Sequence, residues 1–218
     1  MPSETREPSA FKRGPGGRPT RQEAERRHQD LLASATRLFL AKGWEGASVD
    51  EISRQSGVAK RFIYARYPGK AALFVGAVER FIVEKMEILH GFEPLPEEVE
   101  EGLGAFGRRL LDVALRPDTL AFLRLFIAEA PRFPDLAKLF VTSIRHRGHA
   151  EIIRVLAAYA NAGAIELGDP EIRAEQFFIL VVGMAQRLAL LAGREEPAEE
   201  DRKLKAAVRL FLDGCRKR

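Results

Sequence analysis

Three residues, Ser53, Gly57 and Ile63, have a spacing that restricts how the segment around them can fold. A helix-turn-helix needs a small residue in its first helix, then a glycine that turns the chain, then an aliphatic residue that packs back. Ile52 and Val58 supply the rest of a small core. Ser53 stands where alanine is commoner, and we expect its hydroxyl to bond the carbonyl four residues earlier. The spacing predicts two short crossed helices, the second projecting from the surface.

Local signals mark the ends of these two helices. Ser48 is an N-cap candidate with Glu51 three residues later, which is the capping-box spacing. The second helix is predicted to run from Lys60 to Tyr67, because Pro68-Gly69 closes it. The motif as a whole therefore spans about 48–67.

The rest of the chain is also predicted to be helical, because no stretch of any length alternates as a strand does. An amphipathic stripe indicates a first helix over 20–42 that ends at Gly43. After the two short helices, further helices are predicted at 70–89, 97–114, 118–130, 134–161, 169–192 and 198–215. We expect an all-α protein of about nine helices.

The chain divides into three predicted parts. Residues 1–19 are rich in Pro, Gly and charged side chains, with Phe11 the one large apolar residue after the first Met, and are predicted to be a disordered basic arm. Residues 20–84 form the domain that contains the motif. Residues 85–218 form a larger helical body.

Positive charge is concentrated in the first third of the sequence. Residues 1–76 contain 14 Lys and Arg against 8 Asp and Glu, a net charge of +6, whereas the remaining 21 basic and 23 acidic residues give −2. No acidic residue lies between Ile52 and Val78, where the basic residues are Arg54, Lys60, Arg61, Arg66 and Lys70. Such a surface suits phosphate groups, although charge alone equally allows a solvated basic face.

Composition excludes several other classes. Hydrophobic residues are 46% of the chain, which is ordinary for a folded protein. The polar N-terminus lacks a secretory signal and no uninterrupted apolar run is long enough to span a membrane, so we expect a cytoplasmic protein that uses no membrane. The single cysteine, Cys215, has no partner for a disulfide or a cysteine-rich metal site. No cofactor is predicted.

Together these residues resemble the DNA-binding domain of the TetR family of transcriptional regulators. The likeness rests on Gly43-Trp44, on Ser48 to Ile52 and on Ser56 to Phe74, and covers about Gln22 to Glu84. It implies a one-component regulator, most often a repressor, whose third helix enters the major groove of DNA.

The resemblance assigns roles to residues of the motif. It implies that Lys60, Arg61 and Phe62 read bases and that Tyr64, Arg66 and Lys70 hold phosphate, with Arg66 replacing a frequent histidine. Arg61 and Lys60 suit guanine O6 and N7, and Phe62 suits a thymine methyl group. The candidate DNA-binding residues are Ser48, Lys60, Arg61, Phe62, Tyr64, Arg66, Tyr67, Lys70 and Arg18.

Arg18 belongs to the arm, which carries Lys12-Arg13-Gly14 and Gly17-Arg18-Pro19. These resemble the Gly-Arg-Pro core of hooks that lie in the narrow minor groove of A·T tracts. A plain flexible terminus is the equal alternative.

The body is similar to the C-terminal domain of the AefR-like branch, through Phe122 to Leu136 and Asp169 to Phe177. The likeness implies a homodimer through the last two helices, a palindromic operator read by two-fold symmetry, and an unknown small-molecule inducer bound among the middle helices. Pocket candidates by apolar and aromatic content are Phe81, Met86, Phe106, Phe122, Phe126, Phe140 and Phe177, each of which also suits plain core.

Other classes of function find less support. His146 and His149 have a spacing that allows a shared metal, but the sequence offers no third ligand, so no metal site is predicted. An enzyme is disfavoured because phosphate-loop, nucleophile-elbow and zinc-protease motifs are missing. A helical scaffold that does not bind DNA would be expected to lose the basic segment between Ile52 and Val78, and that segment is intact.

Overall fold

The computed structural model describes residues 20–94, 98–143 and 149–215, and over these residues the chain is helical without strands. The helices are α1 Arg21–Gly46, α2 Val49–Ser56, α3 Lys60–Arg66, α4 Lys70–Glu87, α5 Val99–Ala114, α6 Pro117–Glu129, α7 Pro134–Ser143, α8 His149–Asn161, α9 Pro170–Ala192 and α10 Pro197–Asp213. The predicted all-α class is confirmed.

Two details qualify the predicted bounds. The helix predicted over 134–161 is described as α7 and α8, on either side of 144–148; counted as one, the described helices number nine. α1 reaches Gly46, but Gly43 has φ 69° and ψ −177°, so the helix breaks where the sequence predicts its end. The arm with Arg18, and His146, lie outside the described residues, as does the side chain of Phe140.

The first hydrophobic core is formed by helices α1, α2, α3 and α4, and it includes the buried residues of the helix-turn-helix. Its centre is an aromatic cluster in which Trp44 lies 5.4 Å from Phe74 and 4.6 Å from Phe133 between ring centroids. Phe122 and Phe126 of α6 complete this core, although they lie far beyond residue 84 in the sequence. The N-terminal helices therefore depend on α6 of the body for part of their cover.

The second core is built by α5, α8, α9 and α10. Phe106, Tyr159 and Phe177 are fully buried in it. α5 and α10 pack so closely at Gly107 that a Cβ atom there would lie 2.8 Å from Leu204 Cδ1. Helix α4 connects the two cores, because Ile82 belongs to the first and Met86 contacts both.

Helix α9 has an unusually apolar surface. It is 23 residues long and, by length and composition alone, apolar enough to cross a membrane, and only a minority of its residues are buried. A π-helical turn interrupts it at Ile179–Gly183. Val182 faces the core, whereas Ile179 and Met184 are 55% and 60% exposed.

Replacing Gly57 with alanine tests the turn of the helix-turn-helix. Gly57 has φ +68° with open space around its Cβ direction, so backbone strain alone should lower the free energy of unfolding, by about 1–2 kcal/mol. The control is Gly104→Ala in α5, where a Cβ also meets nothing within 4 Å but the backbone is helical. That change should raise stability by about 0.5–1 kcal/mol. Urea denaturation at one protein concentration measures both, and equal effects would contradict the assignment of strain to the turn.

Candidate nucleic-acid interface

The start of α2 is capped as the sequence predicts. Ser48 is the N-cap, and its hydroxyl accepts a hydrogen bond of 3.2 Å from the backbone N–H of Glu51. The Glu51 carboxylate accepts hydrogen bonds from Lys42 Nζ at 2.7 and 2.8 Å, where a full capping box would have it accept from the backbone N–H of Ser48. The bonds from Lys42 hold the pKa of Glu51 below its usual value. Lys42 thus ties α1 to α2.

The turn between α2 and α3 has the predicted glycine geometry. Gly57 adopts the left-handed conformation that ends α2, and Ile52 and Ile63 are fully buried beneath the crossing. The expected bond of Ser53 to a carbonyl of its own helix is wrong, because its hydroxyl donates to Val58 O at 2.7 Å. That carbonyl lies in the turn, where it has no helical partner, whereas carbonyls early in a helix accept from the helix itself.

Helix α3 projects almost all of its side chains into solvent. Of its seven residues only Ile63 is buried, while Phe62 and Tyr64 are 59% and 50% exposed. The Arg61 guanidinium lies 4.8 Å from the centre of the Phe62 ring. The outer side of α3 therefore presents an aromatic ring and a cation to solvent, where another molecule can reach both.

Lys60 is engaged in the free protein. Its Nζ lies 2.6 Å from Asp50 Oδ2, and both side chains are half exposed or more. A pair this exposed is worth little in water, so a stronger anion can displace the carboxylate.

The other basic candidates flank α3. Arg66 ends the helix and is exposed, and Lys70 begins α4. Lys70 Nζ lies 4.5 Å from the centre of the Trp44 ring. Ser48 and Lys70 therefore stand at the N-termini of α2 and α4, where backbone N–H groups and the helix dipole also favour phosphate.

Tyr67 occupies a different environment from the other candidates. Its hydroxyl lies 2.6 Å from His28 Nε2 of α1, and its ring is close enough to Gly76 of α4 that a Cβ there would lie 2.8 Å from it. The residue thus fixes the end of α3 against α1 and α4. His28 had no signal in the sequence, because 39 residues separate it from Tyr67.

Burial and charge set the protonation of this pair. Burial, and then the positive charge of Arg66, lower the pKa of His28, and Glu25 opposes them only in part. Burial raises the pKa of Tyr67. A neutral imidazole against a neutral phenol is therefore the state that the fold favours.

A cavity of about 180 Å³ lies in the body beside the first core. Three of the pocket candidates, Phe81, Met86 and Phe122, line it. Phe106 and Phe177 belong instead to the second core, and Phe126 to the first. Apolar periodicity does not distinguish a cavity wall from a core position, which is why these candidates separate only in three dimensions.

Four polar residues that sequence reasoning missed also line the cavity: Lys85, Thr119, His149 and Gln186. Lys85 is buried, and its Nζ lies 2.7 Å from Asp118 Oδ2 and 3.3 Å from Glu84 Oε1. Partial burial acts to raise the pKa of Asp118, but the hydrogen bond and charge of Lys85, with Arg116, outweigh it and the pKa lies below its usual value. No cluster of three metal-ligating side chains occurs in the described parts of the chain.

Comparison with known proteins gives consistent matches over both halves. Residues 31–77 match the family described as bacterial regulatory proteins, tetR family, and residues 101–214 match the one described as AefR-like transcriptional repressor, C-terminal domain. The chain is 31% identical over 80 residues to the HTH-type transcriptional activator FasR of Mycolicibacterium smegmatis (strain ATCC 700084 / mc(2)155). That match spans 36% of this chain and 36% of the relative, so it covers about a third of either protein.

Solved structures match over most of the chain. A TetR-family transcriptional regulator from Mesorhizobium loti MAFF303099 has a TM-score of 0.81 at 29% identity, covering 90% of this chain and 99% of the other. The flavonoid-responsive regulator FrrA has a TM-score of 0.70 at 30% identity, and the match covers 89% of this chain and 99% of the FrrA chain.

The contact between His28 and Tyr67 predicts a pH dependence of stability. Because folding lowers the pKa of His28, the stability tied to its neutral form is present above about pH 6.5 and is lost as the pH falls through the lower value of the folded state. We expect the thermal midpoint of the wild type to fall relative to that of His28→Gln between about pH 7.5 and pH 5. The two proteins differ only at residue 28, so contributions from all other groups cancel in the difference. If the thermal midpoints of the two proteins change in parallel with pH, His28 does not have a lowered pKa in the folded state.

Proposed function

Because this chain belongs to the TetR family of bacterial transcriptional regulators, we propose that it is a repressor that a small molecule releases from a palindromic operator. The family makes it a DNA-binding regulator of transcription. The finer proposal covers three properties: how α3 reads DNA, how two copies of the chain associate, and what changes the affinity of the protein for its operator.

The exposure of α3 is the single observation that most supports the reading role. Its one buried residue, Ile63, anchors it, and Arg61 and Phe62 are left on the outer side. We assign Arg61 and Lys60 to guanine edges and Phe62 to a thymine methyl group. Lys60 exchanges Asp50 for DNA on binding, and the exposed carboxylate is then resolvated at little cost.

Phosphate contacts are assigned to the residues around α3. Ser48 and Lys70 lie at helix N-termini, and Tyr64 and Arg66 are exposed. Such contacts fix the register of the protein on the duplex without reading its sequence. Tyr67 acts by holding α3 in place through His28, so its role is positioning.

Replacing Arg61 with alanine tests base reading. The loss of a guanine contact should weaken binding to DNA from the chain's own upstream region about 5- to 150-fold, and relax preference at one base pair of each half-site. Arg66→Ala, which removes a phosphate contact, should instead lower the salt slope by about 1 while leaving sequence preference unchanged. Lys138→Ala, on α7, is the control, because the Lys138 side chain is 81% exposed. Fluorescence anisotropy at two salt concentrations measures all three, and the assignment fails if Arg61→Ala behaves as the control does.

We assign homodimerisation to α9 and α10. Their exposed large apolar side chains are Ile172, Ile179, Leu180, Met184, Leu191 and Leu210. A surface helix of a monomer has no use for so many, and two copies packed through them would form a four-helix interface. Two α3 helices can then reach half-sites one turn of DNA apart.

Met184→Glu tests this interface. A two-fold interface would bring each introduced carboxylate out of water, so we expect the dimer dissociation constant to rise at least about a hundredfold and operator binding to weaken with it. Ile127→Glu is the matched control, because Ile127 is 56% exposed but lies on α6. Sedimentation equilibrium measures both. If Met184→Glu stays dimeric, or Ile127→Glu dissociates instead, the interface lies elsewhere.

Release from DNA is assigned to the cavity beside α4. The domain of residues 20–84, which contains the helix-turn-helix, is called the reading domain below. Helix α4 begins in it at Lys70 and reaches the cavity through Phe81 and Lys85. A ligand that fits the cavity only in one arrangement of α4 and α6 shifts the population of the two arrangements, and this difference in affinity is what releases DNA. The name of FrrA, a flavonoid-responsive regulator, supports response to a small molecule here.

Activation is the second candidate, because FasR is named an activator. We favour repression, since the match to the AefR-like repressor domain covers residues 101–214, most of the helical body, whereas the match to FasR covers 36% of the chain. Either role places the protein with DNA in the cytoplasm. A reporter gene under the native upstream region decides between them: deletion of the regulator raises expression if it represses and lowers it if it activates.

A further inference from the structure

The cavity beside α4 is lined by residues of five helices and of the segment that follows α4. Its walls come from α4, from the last turn of α5 and the first turns of α6, from the start of α8, and from α9. Ten of its lining residues are apolar: Phe81, Ile82, Met86, Leu89, Leu110, Val113, Ala114, Phe122, Leu123 and Phe178. The polar groups are the four already named.

The volume limits the ligand to about one ring. At about 180 Å³ the cavity is smaller than the roughly 300–1,000 Å³ of sites for drug-sized ligands. It is slightly larger than a dry apolar cavity of about 150 Å³ that accepts benzene. A single aromatic ring with one or two further heavy atoms fills it.

Charge in the walls excludes ionic ligands. Among the described residues that line the cavity none is acidic, so a cation finds no counter-charge. Lys85 is the one Lys or Arg among them, and its ammonium group already contacts Asp118 and Glu84, with the centre of the Phe81 ring 4.7 Å away. An anion would meet an ammonium group that two carboxylates already neutralise, and it would lose its own hydration, which is costly.

The hydrogen bonds made by two residues of the cavity wall indicate which polar group a ligand should carry. Thr119 uses its hydroxyl hydrogen on Val113 O at 2.9 Å, and Gln186 donates its Nε2 to Ala114 O at 3.1 Å. Their oxygen atoms remain able to accept hydrogen bonds. A hydroxyl group suits these walls because it can donate to either oxygen and can also accept from the second Nε2 hydrogen of Gln186, whereas a group that only accepts leaves both oxygens without a donor.

We infer that this cavity binds a small uncharged molecule of one aromatic ring bearing a hydroxyl group, of which a simple phenol is the representative. A phenol stays neutral at pH 7, since its pKa is near 10. That such binding lowers operator affinity rests on the proposed function, whereas the binding itself does not.

Four probes of similar size test the inference with the full chain: p-cresol, its isomer anisole, benzoate and benzylammonium. Isothermal titration calorimetry should show p-cresol binding most tightly. Anisole, which lacks the donor, should bind about 2- to 10-fold more weakly, and either ion at least about tenfold more weakly. The inference is overturned if an ion binds as well as p-cresol, if anisole equals it, or if no probe binds at millimolar concentration.

Two variants locate the binding. Ala114→Leu fills the cavity and should abolish p-cresol binding, with circular dichroism confirming that the variant is folded; Ala128→Leu, on the exposed face of α6, should leave p-cresol binding unchanged. Gln186→Met should reduce the advantage of p-cresol over anisole. Retention of p-cresol binding by Ala114→Leu places the site elsewhere and overturns the inference.

Operator binding, followed by gel shift with and without p-cresol, separates this inference from the proposed function. A chain that binds p-cresol but shifts no DNA contradicts the proposed function alone. A chain that shifts DNA and binds none of the probes contradicts the inference alone.

Discussion

The stacking of Phe81 on Phe122, with ring centroids 4.2 Å apart, joins the reading domain to the body. Both rings belong to the first core and both line the cavity. Interiors pack too densely to deform smoothly, so a displacement of either ring is transmitted to its neighbours. Helix α6 then carries such a displacement towards Phe133, which packs on Trp44, the ring that Lys70 also contacts. The same contacts that complete the small N-terminal core thus connect it physically to the proposed sensor.

Much of the reading domain could be predicted from sequence because its determinants are local. Ser48 caps α2 and Gly57 ends it through backbone preferences that act within a few residues. The contributions of α6 were not predictable, because Phe122 and Phe126 have the same apolar spacing whether they cover their own domain or another. The environment of Tyr67 was also missed, since its distance in sequence from His28 leaves no periodic signal.

Charge in the free protein is already arranged around the candidate interface. Asp50 neutralises Lys60, while Arg61 rests on Phe62. Contacts this exposed restrain the side chains only weakly, so a polyanion can displace them. Lys85 differs because it is buried, and breaking its contact with Asp118 without replacement leaves a desolvated charge. The two ion pairs therefore suit different tasks: exchange with DNA at the surface, and a fixed junction between α4 and α6.

Helix α9 has two faces with different surroundings. Phe178 and Gln186 line the cavity, while Ile179 and Met184 are exposed, and the π-helical turn at Ile179–Gly183 separates Phe178 from Gln186. A π-turn inserts one residue into the helical repeat and so changes which side chains share a face. If the outward face forms the dimer interface, the ligand wall and the interface belong to one rigid element. A ligand that moves α4 and α6 against α9 then moves them against the two-fold axis, and the separation of the two α3 helices changes although the interface itself stays packed.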